Sequence, residues 1–151
     1  MTDHTETRWC NDSAMPEEIE AALSSGAIGC TSNPPLTYQV LTAAPELFAG
    51  ELSQISGDLK EDQKVVELIG IVVRRIADRL EGIFKQSDKA YGYIRAQVQP
   101  RLSGDAEAML TMGKVFASWA PNVKVKIPGT SAGIGVLEEL AALGIPTNPT
   151  V

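Results

Sequence analysis

The fold of this chain is decided by NVKVKIPGTSAGIGVLEELAALGIP, residues Asn122 to Pro146. Val123 to Ile127 reads as a short strand, followed by a Pro128-Gly129 break, a helix started by Ser131 and stopped by Gly144, and a second apolar start at Ile145. That is one strand–loop–helix unit, the building block of a parallel sheet with helical crossovers. Lys126 stands near the C-terminal end of the strand, where α/β proteins place their chemistry. Strand pattern alone favours an ordinary strand-end lysine reaching for water, so the rest of the chain must decide its role.

Upstream, the same alternation repeats. Thr7 to Asn11 reads as a first strand ending at Asp12, and Ser13 and Pro16 suit a helix start with Glu17 and Glu18 in the first turn, where the helix dipole favours acid. Ile19, Ala22 and Leu23 form its apolar stripe, and Gly26 stops it. Ala27 to Ser32 is a second strand, broken by Asn33-Pro34-Pro35. Leu36 to Ala43 reads as helical, and Pro45 suits the first turn of a short helix running to about Ile55. Glu61 to Lys85 is the longest helix, with Val65, Ile69, Val72, Val73, Ile76, Leu80 and Ile83 at helical spacing and charged residues on its other side.

Tyr93 to Val98 is a third strand, closed by Gln99-Pro100. Asp105 or Ser103 starts a helix with Met109, Met112, Phe116 and Trp119 on one face, a stripe that suits a core. Val123 to Ile127 is the fourth strand and Ile145 begins a fifth. Four and a half such units predict an α/β fold with right-handed crossovers and a parallel sheet in a single domain over residues 1–151.

Composition narrows the function. With 44% hydrophobic and 21% charged residues, the chain is ordinary for a soluble globular domain. A net charge of −6 gives no electrostatic case for nucleic acid or an anionic membrane. The first residues, MTDHTETRW, are polar and carry no signal peptide, and no apolar run reaches the roughly 18 residues that would span a bilayer. Cys10 and Cys30, both inside expected strands, read as reduced, buried thiols of a cytoplasmic protein. The single histidine, His4, falls in a terminus expected to fray, so a zinc site, a Ser-His-Asp triad or a Cys-His pair has almost nothing to work with. Gly129, Gly133 and Gly135 match neither the P-loop nor the dinucleotide fingerprint.

The strand ends carry the chemistry instead. Asp12 follows the first strand and Asn33 the second, Gln97 lies on the third and Lys126 on the fourth, and Asn148 and Thr150 fall on the fifth. In a parallel barrel these ends share one rim. One amine, one carboxylate and several neutral hydrogen-bonding groups suit a covalent amine mechanism, since a lysine among apolar residues has its charged form disfavoured and can attack a carbonyl. Asn33 taken alone reads as well as a turn residue before proline, and Asp12 as a helix cap. Lys124, two residues before Lys126, points to the same strand face but sits deeper or at the opposite mouth, so Lys126 is the better nucleophile.

Four segments resemble the transaldolase family. Gly29-Cys30-Thr31-Ser32-Asn33-Pro34-Pro35-Leu36 resembles G-x-T-[TS]-N-P-[ST]-L, and Val98-Gln99-Pro100-Arg101-Leu102-Ser103 resembles V-D-P-R-L-S. The run from Val125 to Ile134 resembles the V-K-I-P-[AG]-T-x-[EA]-G-I segment that carries the Schiff-base lysine, and Gly144 to Val151 resembles G-I-x-x-N-x-T-L. They occur in family order at nearly family spacing, from about Arg8 onward.

The resemblance implies a (β/α)8 barrel, here only its first four to five units. It also implies a class I mechanism that transfers a dihydroxyacetone unit between sugar phosphates, as in the pentose phosphate pathway, with neither metal nor organic cofactor. Carried over, Lys126 forms the Schiff base, Asp12 is the acid/base, Asn33 and Asn148 orient donor hydroxyls, and Gln97 and Thr150 hold the catalytic water.

Two departures matter. Most of the family has glutamate where this chain has Gln97, and the fructose-6-phosphate aldolase branch is similar in having glutamine, so simple aldol cleavage is an alternative to transfer. The chain also ends where a family member enters its fifth strand, before the arginines expected to grip the substrate phosphate. A sheet cut from a barrel is expected to leave two open edges and an uncovered apolar face, and so to be unstable alone, to form a homo-oligomer, or to be an incomplete and inactive fragment.

Overall fold

A computed structural model describes residues 6–151, which leaves His4 outside the described residues. Its elements begin where the local chemistry says they should. Helix α1 (Pro16–Ser24) has proline in its first turn, Glu17 and Glu18 beside it, and Ile19 and Ala22 buried. Strand β1 (Gly29–Thr31) leads through Asn33 into α2 (Pro34–Ala43), where the Asn33 Oδ1 accepts the Leu36 N–H at 2.8 Å. A 3-10 turn (Pro45–Phe48) and a single turn of helix, α3 (Ala49–Leu52), then carry the chain to α4 (Glu61–Gln86).

Helix α4 is 26 residues long, about 39 Å at the usual rise. Ile69, Val72, Val73, Ile76 and Leu80 are buried along one stripe, with Val65 and Ile83 packed at its margin. Its outer side pairs Arg75 with Glu51 of α3 and Arg79 with Glu20 of α1, exposed contacts that orient the helices and stabilise them only slightly. Strand β2 (Tyr93–Gln97), helix α5 (Ala106–Ala117), strand β3 (Val123–Pro128), helix α6 (Ser131–Ala142) and strand β4 (Thr147–Thr150) complete the order.

The four strands lie side by side in chain order, β1-β2-β3-β4, and every pairing is parallel. Successive crossovers that step in one direction with one hand lay all their helices on one face. Burial agrees: Ile94, Ala96, Val123, Val125 and Ile127 are buried and join Leu80, Met109, Phe116, Val136 and Leu140 in one core. The alternate residues Tyr93, Arg95, Gln97, Lys124 and Lys126 are only half-buried, on the opposite face. Asn122 locks the layers together, its buried Nδ2 donating to the Ala77 carbonyl at 2.8 Å and the Gly92 carbonyl at 3.0 Å.

Three expectations need correction. Thr7 to Asn11 does not form a strand; within it only Asn11 makes a bridge, parallel to Cys30. The pairing is nonetheless real but brief, with Ile28 N–H donating to Trp9 O, Asn11 N–H to Gly29 O and Thr31 N–H to Asn11 O. This segment covers the outer edge of β1, so one of the two expected open edges is closed. The face away from the helices is polar rather than apolar, because the strands alternate instead of running continuously hydrophobic. Cys30 is buried as expected, but Cys10 is half-buried and outside any strand, and both thiols are free.

Candidate active site

The parallel registers assemble a row across three strands. Gln97 of β2 pairs with Lys126 of β3, and Lys126 pairs with Asn148 of β4. Two-residue alternation keeps all three side chains on the polar face. Thr150 stands one step further toward the strand ends, opposite Pro128, and its carbonyl accepts the Gly129 N–H at 2.7 Å. Asn33 lies two residues beyond Thr31, itself opposite Arg95, which brings Asn33 to the level of Gln97. Its oxygen is committed to capping α2, leaving the amide NH2 as the group it can offer. Asp12 is exposed, one residue past the Asn11–Cys30 bridge, and does not cap α1. Gln97, Lys126, Asn148 and Thr150 are thus gathered on adjoining strands, while Asp12 and Asn33 stand at the loops that open after the first two chain passes.

The rim is held by close backbone packing. Helix α6 begins against the end of β3, with Thr130 as its cap: the Thr130 hydroxyl accepts the Gly133 N–H at 3.0 Å and donates to the Ser103 carbonyl. Only glycine fits at Gly133, since a Cβ there would lie 1.8 Å from the Pro128 carbonyl oxygen. This is what fixes the loop immediately after Lys126.

Sequence reasoning passed over Arg95. It sits on the polar face between Tyr93 and Gln97, where alternation along YIRAQ would have placed it. Its Nε donates to the Asn148 Oδ1 at 3.0 Å, and its Nη1 reaches the Cys10 sulfur at 2.9 Å and the Cys30 carbonyl at 3.5 Å. Because Asn148 accepts from Arg95 through its oxygen, its Nδ2 turns to the Pro149 carbonyl at 2.9 Å. Lys124 pairs with Arg95 across the ladder and lays its ammonium over the Tyr93 ring, 4.1 Å from the centroid. Burial, then the like charge of Arg95, holds the Lys124 pKa below the usual lysine value, with Cys10 opposing the shift.

Two cavities, of about 710 and 330 Å3, lie elsewhere. The larger runs between α4 and α5 beside Val66 and Met112, and the smaller between α1 and α4 beside Ile19 and Val72. Neither touches the lysine row. Among the described residues no group of His, Cys, Asp and Glu could hold a metal ion, and no helix is long and apolar enough to cross a membrane.

A parallel sheet with helices over one face, a polar opposite face and a strand-end lysine in a row of amides defines an α/β protein consistent with part of a TIM-type barrel. The sequence comparisons place it further: residues 9–151 match the family model of transaldolase/fructose-6-phosphate aldolase, and the chain belongs to that family. It is 31% identical over 131 residues to a transaldolase of Thiobacillus denitrificans, covering 83% of this chain and 36% of that protein. It is 30% identical over 149 residues to a transaldolase of Campylobacter jejuni subsp. jejuni, covering 95% of this chain and 44% of the relative. Against transaldolase 1 of Streptomyces avermitilis the figures are 31% over 128 residues, 82% and 33%. The chain therefore spans between a third and somewhat under half the length of these relatives.

Proposed function

We propose that residues 1–151 form the N-terminal part of a transaldolase-type barrel and carry its Schiff-base lysine, with small sugar phosphates as substrates. The amine of Lys126 attacks the carbonyl carbon of a ketose phosphate, and water leaves to give an imine. Asp12 takes the proton of the donor hydroxyl, the adjacent carbon–carbon bond breaks, and an aldehyde departs while its bonding electrons pass into an enamine on Lys126. The enamine then attacks an acceptor aldehyde, Asp12 returns the proton, and water held by Gln97 and Thr150 hydrolyses the new imine. Asn33 and Asn148 orient the donor hydroxyls. The route requires neither metal nor organic cofactor.

What carries this reading is the register row Gln97–Lys126–Asn148 in a chain of this family. A second reading rests on Gln97 alone. An amide polarises the water differently from a carboxylate, which favours simple aldol cleavage of fructose 6-phosphate over transfer.

The test is borohydride reduction of the folded chain with fructose 6-phosphate, read by intact mass and peptide mapping. The expected outcome is a mass gain mapped to Lys126 and lost in Lys126→Arg. No gain on folded protein would leave this chain an inactive fragment, and a gain mapped to Lys124 would move the nucleophile. Product analysis with and without an acceptor aldehyde separates transfer from cleavage.

A further inference from the structure

The chain carries a net charge of −6, yet its polar sheet face is cationic. Arg95 and Lys124 are register partners, and Lys126 stands two residues further along β3, about 7 Å away. The five ion pairs among the described residues, Glu67–Arg74, Glu51–Arg75, Glu20–Arg79, Glu81–Lys85 and Asp62–Arg101, all lie on the helices and their loops. None includes Arg95, Lys124 or Lys126.

What Arg95 has instead is an amide oxygen, a thiol sulfur and a backbone carbonyl, while Lys124 has an aromatic ring. These acceptors fix the side chains without neutralising them. The Nη2 of Arg95 has no hydrogen-bond acceptor among the described residues. Two fixed like charges side by side repel one another, and a half-buried face screens that repulsion less than open water does. An oxyanion between them would relieve the repulsion and take hydrogen bonds from a planar guanidinium and a point-charge ammonium, the usual pairing for phosphate.

We propose that Arg95 and Lys124 form a binding site for the phosphate group of a small phosphorylated ligand, below the row that holds Lys126. Asn148 and Cys10 pin the guanidinium, and the Tyr93 ring supports the ammonium. The site stands on geometry and charge and does not depend on Lys126 forming an adduct.

The experiment is calorimetric titration of the full chain with inorganic phosphate, fructose 6-phosphate and fructose. Both phosphate ligands are expected to bind and to compete with each other, and fructose is expected not to bind. Charge-assisted hydrogen bonds of this kind make Arg95→Gln and Lys124→Gln each weaken phosphate binding on the order of tenfold. Arg95→Lys and Lys124→Arg keep the charge and should retain most of the binding, which separates loss of charge from loss of fold. Measured in Lys126→Arg, which forms no adduct, tighter binding of fructose 6-phosphate identifies a sugar phosphate as the ligand; equal affinity identifies free phosphate. Absence of binding, or binding unchanged in both Gln variants, would overturn the site.

Discussion

Gly133 and Cys30 show how narrowly single positions are constrained around the lysine strand. At Gly133 a methyl group would meet the Pro128 carbonyl oxygen at 1.8 Å, so Gly133→Ala must push α6 away from the end of β3. Overpacking against backbone of this kind is expected to cost on the order of 2–4 kcal/mol, measurable by chemical denaturation. Cys30 is constrained by protonation. Burial pushes its thiol from the ordinary 9.0 up to about 11, against a weaker opposing bond from Asn11. The unfolded chain therefore releases this proton first: the contribution of Cys30 is complete below about pH 9 and is lost as pH rises toward 11. Cys30→Ala should lower stability by a constant offset through a small cavity, yet fall less steeply than the parent over that window in pH-dependent melts. Arg95 marks the limit of residue-level reading. Its face was legible from alternation, but its partners, Cys10 from 85 residues earlier and Asn148 from 53 residues later, exist only once the registers are set.

At the scale of elements, most boundaries were written locally. The helix Glu61 to Lys85 lies within one residue of α4, and the apolar spacing named its buried stripe because packing followed propensity. The first strand was not legible in the same way, since a strand needs a partner of sufficient length and β1 offers only three residues. Caps were half legible. Ser131 marked the start of α6, but the cap is Thr130, whose hydroxyl also ties the helix to Ser103. Asn33 has a cap and an expected substrate contact in one side chain, and substitution can separate them. Asn33→Ala removes the bond to Leu36 N–H and should cost about 1 kcal/mol in a denaturation curve. Asn33→Asp keeps an accepting oxygen and should hold stability within about 0.5 kcal/mol while removing the amide donors. If Asn33 orients donor hydroxyls, both variants then need a higher sugar phosphate concentration for the same adduct yield on Lys126, the Asp variant without the loss of stability.

For the whole molecule, the alternation of β2 and β3 changes what an open four-stranded sheet means. The expected apolar face would have demanded a cover; a face of Arg95, Gln97, Lys124 and Lys126 can meet water, and helix on sheet is already a sufficient pair of layers for one core. The exposed weakness is instead the outer side of β4, which has no strand beyond it among the described residues and carries Pro149 without an N–H. Stability should therefore grade across the sheet. Ladder amides in the middle, such as Ile94 bonded to Asn122 O and Val98 bonded to Lys126 O, are expected to exchange only through global unfolding. The amides of β4 are expected to open locally and exchange roughly 100-fold faster or more in hydrogen-exchange mass spectrometry. Equal protection of β4 with β2 and β3 would mean that its edge is covered in solution. A second copy of the chain would then be the first candidate for the cover, and a sedimentation measurement at the same concentration would have to show more than the 16.1 kDa of one chain. Local exchange at β4 with a single-chain mass would instead show that the two layers hold together without it.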